Sequence, residues 1–376
     1  MNITYVTNFP STDIKHWSGT VHFMATNLAK YSNVDYITGL QEDWTFSLKV
    51  KNKLYGRNKI YRADRSPEFG RSYARQISEQ LNPTTNILFS HSSTLMSYLK
   101  TNKHKVIYTD ATFASMINYY DYFSNLSQQY IKEGNQMEQL SLDSSSLAIY
   151  SSQWAADSAI KDYNANSDKV RIVPFGANIT TQKISLEEIK DILKKRSTDV
   201  CKILFLGVDW FRKGGDIAID AVRYLNKELR QPAELHIVGI DNLPVENLPP
   251  YIIDHGRISK VTPEGMKKVE DLILQSHFLF IPSRADCTPI VFSEAMSYAV
   301  PCVSAATGGI PSIVNDTNGI ILSPQVEPKE YAQQIYKTFE DKSYYNELAL
   351  SAYHDFESRL NWDTAMKTIV GYMKEL

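Results

Sequence analysis

The sequence predicts an α/β protein made of two domains, each with a parallel sheet. Short apolar runs recur along the chain, each followed by a polar or glycine-bearing turn and then by a stretch with helical spacing. That alternation marks buried parallel strands covered by helices. A length of 376 residues is long for one core and comfortable for two. A polar, lysine-rich stretch at 180–199 falls where the chain would cross from the first domain, 1–179, into the second, 180–357.

The first domain opens with a strand at 2–7, a loop ending in Ser18-Gly19, and a helix over 20–31 with Val21, Met24, Ala25 and Leu28 at helical spacing. Gly19 suits either a plain loop or a turn that lets a phosphate approach the backbone. Strands are expected at 86–90 and 105–109, ending in His91-Ser-Ser93 and Asp110-Ala-Thr112. Ligands of open parallel sheets sit beyond the carboxyl ends of the strands. His91 and Asp110 are therefore candidates, Asp110 as a base, as a group positioning an acceptor hydroxyl, or as a helix cap. A long helix over 119–140, a strand-to-helix step at 147–155 and a strand at 170–174 complete this half.

The second domain starts with a strand at 201–207 and the loop Val208-Asp-Trp-Phe-Arg-Lys-Gly-Gly215. Arg212 and Lys213, in a glycine-bearing loop before a helix, suit a diphosphate, which gains charge as it leaves. Strands follow at 234–239 and 252–258. The apolar run 277–281 leads into Ser283-Arg-Ala-Asp-Cys-Thr-Pro-Ile-Val-Phe-Ser-Glu-Ala-Met-Ser297, with a helix over 291–298 and a strand at 300–304. Asp286 lies in the loop and Glu294 a turn or so inside the helix. Free N–H groups at a helix start favour anions, and flanking carboxylates can hold sugar hydroxyls. A glycine turn at 307–311 precedes a short helix; a strand at 318–322 and helices at 328–339, 343–357 and 361–373 end the chain.

Asp286-x7-Glu294 followed by Ala-Met and Val-Pro-Cys-Val resembles the E-x7-E element of GT-4-type retaining glycosyltransferases, which have the GT-B fold of two Rossmann-like domains facing across a cleft. Pro174-Phe-Gly-Ala-Asn178 resembles the turn that ends their first domain, and Lys213-Gly214 their phosphate-binding Lys-Gly. The resemblance implies that Glu294 bonds the donor's ribose and Asp286 its hexose. It places Thr288, Pro289, Ile290 and Val291 against the sugar and phosphate, Arg257 and Ile258 at the nucleotide base, and Gly19 at a phosphate. A terminal helix, about 358–376, would cross back to the first domain. The chain departs from the pattern in five places: Asp286 stands for the first Glu, Cys287-Thr288 where small or aromatic residues are common, Val208 for the usual Arg, Asp110 near the usual His, and Ser18-Gly19 where two glycines are common. No Asp-x-Asp occurs, so the resemblance implies a metal-independent enzyme without a cofactor, in which Arg212 and Lys213 carry the charge a metal would. The implied reaction is retaining transfer of a hexose from a nucleotide-diphosphate sugar, uridine before guanosine, to a hydroxyl of a glycan or lipid-linked acceptor in cell-surface polysaccharide synthesis.

A formal charge of −2 argues against a general nucleic-acid surface. Cys201, Cys287 and Cys302 lack metal-ligand spacing and are expected as buried thiols of a reducing compartment. The amino terminus is expected as a strand and not a signal peptide, which with the absence of a long apolar run points to the cytoplasm. Residues 44–75 stand apart. Lys49, Lys51, Lys53, Arg57, Lys59, Arg62, Arg65, Arg71 and Arg75 are opposed there only by Asp64 and Glu68, with Trp44, Phe46, Tyr55, Tyr61 and Phe69 interleaved. Such a stretch is either a solvated surface over core aromatics or an attachment surface for anionic headgroups, at the inner face of a membrane, or for an anionic acceptor. Three other classes stay open: a sugar-nucleotide epimerase of the same fold, a dinucleotide oxidoreductase, against which the absence of G-x-G-x-x-G speaks, and a two-lobed sugar-binding protein.

Overall fold

The computed structural model describes residues 1–12, 14, 16–56, 58–179 and 184–376. Asp13 and Lys15 of the first loop, Arg57 of the basic stretch and 180–183 of the expected crossing lie outside the described residues. The chain divides into two compact units, one of Met1–Pro174 with Trp362–Leu376, the other of Phe175–Asn361. Each is organised on a six-stranded parallel sheet.

In the first unit β1 (Asn2–Val6), α1 (Thr20–Leu28) and β2 (Asn33–Ile37) are followed by α2 (Phe46–Tyr55) and α3 (Pro67–Gln80). Next come β3 (Ile87–Ser90), α4 (Ser93–Met96), β4 (His104–Thr109), α5 (Phe113–Met116) and α6 (Gln128–Ser144). Then β5 (Leu147–Tyr150), α7 (Gln153–Tyr163) and β6 (Val170–Ile172) complete the sheet, whose order is β2-β1-β3-β4-β5-β6. The strands found by their apolar runs include the central ones, β3 and β5 being buried throughout, and also the edge strand β6. The edge strand β2 escapes that signal because it buries only Ile37. The helix expected over 119–140 starts instead at Gln128. Asn118 and Asn125 take left-handed φ of 60° and 53° around a 3₁₀ turn at Asp121–Phe123, a conformation asparagine tolerates, and Ser127 then caps α6 by accepting from the Tyr130 N–H at 3.2 Å. The helix expected to run to Tyr31 ends at Leu28, its last turn tightening into Tyr31 N–H to Leu28 O, 3.1 Å.

In the second unit α8 (Leu186–Lys195), β7 (Cys201–Leu206), α9 (Gly215–Lys227), β8 (Ala233–Val238) and β9 (Ile252–Asp254) precede α10 (Pro263–Gln275). After them come β10 (Phe278–Ile281), α11 (Ile290–Met296), β11 (Cys302–Ala305), β12 (Gly319–Leu322), α12 (Pro328–Glu340) and α13 (Lys342–Arg359). The sheet order is β12-β11-β10-β7-β8-β9, so the winding direction reverses between β7 and β10. In open parallel sheets the crevice for a ligand forms at that reversal, beyond the carboxyl ends of the two strands. The strand expected over 252–258 stops at Asp254, because Gly256 takes φ +60° and gives its N–H to the Asp254 carboxylate at 2.8 Å. The short helix expected after Thr307 is a single 3₁₀ turn, Ile310–Ser312.

The last helix, α14 (Trp362–Met373), belongs to the first unit, where it packs on α1 and sets the Trp362 ring edge-on to Tyr108 at 6.4 Å. The three cysteines are free and buried. Among the described residues no helix is long and apolar enough to cross a membrane.

His277, at the foot of β10, joins β7 to the segment before it. Its Nδ1 accepts the Lys202 N–H at 2.9 Å and its Nε2 donates to Ser197 O at 2.8 Å, which requires the neutral ring. Burial against Phe339 and Tyr345 lowers its pKa to about 4. The unfolded side chain takes its proton first, near 6.5, so the stability contributed by neutral His277 is complete above that pH and is lost as pH falls towards 4. Urea denaturation between pH 7 and 4 should show a loss on the order of 2–3 kcal/mol from this group. The slope should be shallower in His277→Gln by that amount.

Candidate active site

The residues singled out in the second half of the sequence converge where the second sheet reverses. The loop after β7 carries Arg212 and Lys213, and the loop after β10 carries Asp286. Lys213 Nζ forms an ion pair with Asp286 Oδ2, and Arg212 Nη1 lies 3.4 Å from the same oxygen. Arg212 also donates to Ala285 O at 2.9 Å and from Nε to Asp209 Oδ2 at 3.0 Å. The side chains of Lys213 and Asp286 are only 11% and 8% exposed, which strengthens their attraction relative to a surface pair.

The two loops touch closely because Gly214 separates them. It has φ +75°, and a Cβ there would lie 2.2 Å from Pro282 O. Backbone contact continues in Arg284 N–H to Arg212 O, 2.8 Å, while the Arg284 side chain covers the Phe211 ring at 4.0 Å and pairs with Asp216 at 2.7 Å. Burial works against the Asp216 charge, but the Arg284 bonds outweigh it and hold its pKa below the usual range.

Thr288 and Pro289 lead into α11, whose first residues are Ile290 and Val291 and whose first turn has no side-chain cap. Its far end is fixed by Arg196, which donates to Ala299 O and Tyr298 O, each at 2.7 Å. Both carbonyls lie in the turn just past Met296, the last residue of the helix. The helix so held carries Glu294, 3% exposed, whose carboxylate pairs with Lys260 and not with Arg212 or Lys213. Arg257 is exposed and pairs with Asp241 at 3.2 Å; Ile258 packs on the core beside it, and Gly256 O accepts from the Gly239 N–H at 2.9 Å. Val208, standing where the resemblance puts an arginine, is exposed.

Gly19 and Asp110 lie in the first unit. Gly19 is the N-cap of α1 with φ +87°, preceded by Trp17 and Ser18, both also left-handed. Asp110 follows β4, but the N-cap of α5 is Thr112, which forms a capping box with Ser115. His91 follows β3 and is buried among Tyr5, Phe9 and Trp17, which lowers its pKa to about 4; its Nδ1 has no partner among the described residues. Among the described residues no group of His, Cys, Asp and Glu could hold a metal ion. Four participants carry no role assigned from the sequence: Asp209, Arg284 with Asp216, and Lys260. Asp209 sits three residues before Arg212, a spacing that could have flagged it; the others pair across 68 and 34 residues and carry no local signal.

A family model described as glycosyl transferases group 1 matches residues 187–355. That match covers most of the second unit and supports a GT-4-type, group 1 glycosyltransferase. Among curated relatives, a D-inositol 3-phosphate glycosyltransferase of Xylanimonas cellulosilytica is 24% identical over 58% of this chain and 54% of its own length. An uncharacterized glycosyltransferase of Methanocaldococcus jannaschii is 26% identical over 63% and 62%. The chain spans about half the length of the first of these relatives. Solved structures share the fold throughout. Anabaena HepE in complex with UDP-glucose matches with TM-score 0.66 at 15% identity over 100% of both chains. WaaG, a glycosyltransferase involved in lipopolysaccharide biosynthesis, matches with 0.67 at 15% over 98% and 99%. The fold is therefore GT-B, and the cluster at Asp286 lies within the span of the group 1 match.

Gly214→Ala tests how the group 1 loops are held together. Left-handed backbone and collision with Pro282 O should lower the unfolding free energy by about 1–3 kcal/mol. Gly371→Ala in α14, where a Cβ meets nothing within 4 Å, is the control and should show no such loss in urea denaturation.

Proposed function

We propose that the chain transfers a hexose from a nucleotide-diphosphate sugar, with uridine before guanosine as the base, to a hydroxyl of a glycan or lipid-linked acceptor, with retention at the anomeric carbon. The observation that carries this is the convergence of Lys213 and Arg212 on Asp286 at the sheet reversal. Two cations there face Asp286 and the half-exposed Asp209, so the cluster is balanced at rest, and a diphosphate would draw Lys213 and Arg212 from these carboxylates in a poorly solvated place. The likeness in fold to a protein seen with UDP-glucose, and relatives named for transfer to the polyol phosphate D-inositol 3-phosphate, support a nucleotide-sugar donor and a hydroxyl acceptor.

In this mechanism the bond from the anomeric carbon to the phosphate oxygen breaks, and its electron pair leaves with the diphosphate. Lys213 and Arg212 stabilise the charge that develops there, in place of a metal. The N–H groups that open α11, after Thr288 and Pro289 and at Ile290 and Val291, add to that field. The acceptor oxygen attacks from the face the diphosphate leaves, and its proton passes to the departing phosphate oxygen. Asp286 orients the hexose, Glu294 holds the ribose once Lys260 yields it, and the backbone at Arg257 and Ile258 seats the base. In the first unit Asp110 positions the acceptor hydroxyl, and Gly19 admits a phosphate to the backbone.

A thermal-shift series with nucleotide-diphosphate sugars should find a donor that raises the melting temperature. Glu294→Ala and Asp286→Ala should abolish that shift. Lys213→Ala should lower kcat about 10²–10³-fold, the size of loss seen when one group stabilising transition-state charge is removed. Proton NMR of the product reads the anomer. An inverted product, or conversion of the donor without any acceptor, contradicts transfer with retention, and the second result points to an epimerase or hydrolase.

A further inference from the structure

Helix α2 is fastened to the first unit by one side and leaves the other uncovered. Leu48 is fully buried. Lys51 forms ion pairs with Glu68 at 3.3 Å and with Glu133, and Glu133 also accepts from Tyr61 Oη at 2.7 Å. On the opposite side Phe46, Val50 and Leu54 repeat every four residues and are 83%, 49% and 56% exposed. Lys49 and Lys53 lie on the shoulder of that stripe, both exposed. Trp44, half exposed, stands just before the helix. Five of the sixteen large apolar side chains exposed among the described residues thus fall within Trp44–Tyr55.

The other basic residues of this stretch are engaged inside the unit. Arg75 pairs with Asp43 at 2.7 Å and Arg65 with Glu138 at 3.7 Å. Arg62 donates to Tyr122 O at 2.8 Å, and Arg71 stands over the Tyr98 ring at 5.3 Å. Lys49 and Lys53 thus carry outward charge beside the apolar stripe, with Lys59 nearby on Asn125 Oδ1 at 2.8 Å, while Arg71 and Arg75 are exposed but partnered within the unit.

We propose that this face of α2 seats the chain on an anionic lipid bilayer, with Phe46, Val50 and Leu54 entering the headgroup–acyl boundary and Lys49 and Lys53 at the level of the anionic headgroups. An apolar stripe edged by lysines and led by an exposed tryptophan matches a surface that is oily below and negative above. A second copy is a poorer occupant, because a symmetric pairing of the stripe would set the lysines of both copies against each other. Nucleic acid would leave the apolar stripe uncovered. Attachment through α2 does not depend on which donor the second unit takes.

The test is sedimentation of the full chain with phosphatidylcholine vesicles, alone or containing phosphatidylglycerol, at low and raised ionic strength. Binding is expected only with the anionic lipid, and should weaken as salt screens the charges. Phe46→Ser with Leu54→Ser, and separately Lys49→Glu with Lys53→Glu, should each lower partitioning about tenfold or more. Both variants should keep the parent's melting temperature in the absence of vesicles, since none of these side chains is buried. No binding at low ionic strength, equal binding to phosphatidylcholine alone, or binding indifferent to both variants overturns the proposal. So does concentration-dependent self-association that Phe46→Ser with Leu54→Ser removes. The melting-temperature shift with nucleotide sugars, read without vesicles, fails or holds independently of every one of these results.

Discussion

One carboxylate organises the second unit's functional edge. Asp286 draws Lys213 and Arg212 together from the loop after β7, although it stands more than seventy residues away in the loop after β10. Neither cation would remain so poorly solvated without a counter-charge, since stripping one partner from a buried pair leaves an uncompensated ion. Arg212 has a second partner in the half-exposed Asp209, so each cation has a carboxylate counter-charge within the cluster. The sheet supplies the opportunity: β7 and β10 are paired neighbours at the point where the winding reverses, which brings the loops that follow them together.

That meeting depends on backbone as much as on charge. A residue with a Cβ at 214 would push the first loop from Pro282, and Lys213 is its immediate neighbour. Arg284 closes the outer rim by pairing with Asp216 at the start of α9, which ties the loop after β10 to the helix after β7. Farther in, Arg196 anchors the end of α11 through carbonyl oxygens and the Tyr345 hydroxyl, at 2.8 Å. Glu294 therefore projects from a short helix whose following turn is held by a buried guanidinium.

Much of the fold was legible because central parallel strands are buried on both faces and announce themselves as unbroken apolar runs, as Phe278–Ile281 and Cys302–Ala305 do. The edge strand β2 was not legible, since a strand open to water on one side needs no apolar run. The start of α6 was misjudged because Tyr, Gln and Asn at helical spacing suit a helix and a turn alike; the left-handed asparagines at 118 and 125 decide for the turn. At the site, Arg212, Lys213 and Asp286 could be picked out by residue type and by position after strands, but their mutual contact is a property of strand order. Lys260 had no signal at all: it reaches Glu294 from a loop whose sequence shows nothing beyond one more lysine.

The basic stretch shows why composition alone could not separate its two uses. In the sequence, Lys49, Lys51 and Lys53 differ only by position. On a helix of 3.6 residues per turn, Lys51 comes round towards the side of Leu48, while Lys49 and Lys53 fall on the side of Phe46, Val50 and Leu54. Lys51 accordingly finds Glu133 and Glu68 and serves the unit's interior, and its charge is unavailable outside. Folding gains nothing from exposing Phe46, whose burial would be worth about 1.5–3 kcal/mol. A helix whose interior face offers one leucine and the two ion pairs of Lys51, and whose Phe46, Val50 and Leu54 face outward beside exposed lysines, is poorly explained by the stability of its own unit. Cover from another surface would offset the cost of those residues in water, and the lysines beside them favour a negative one.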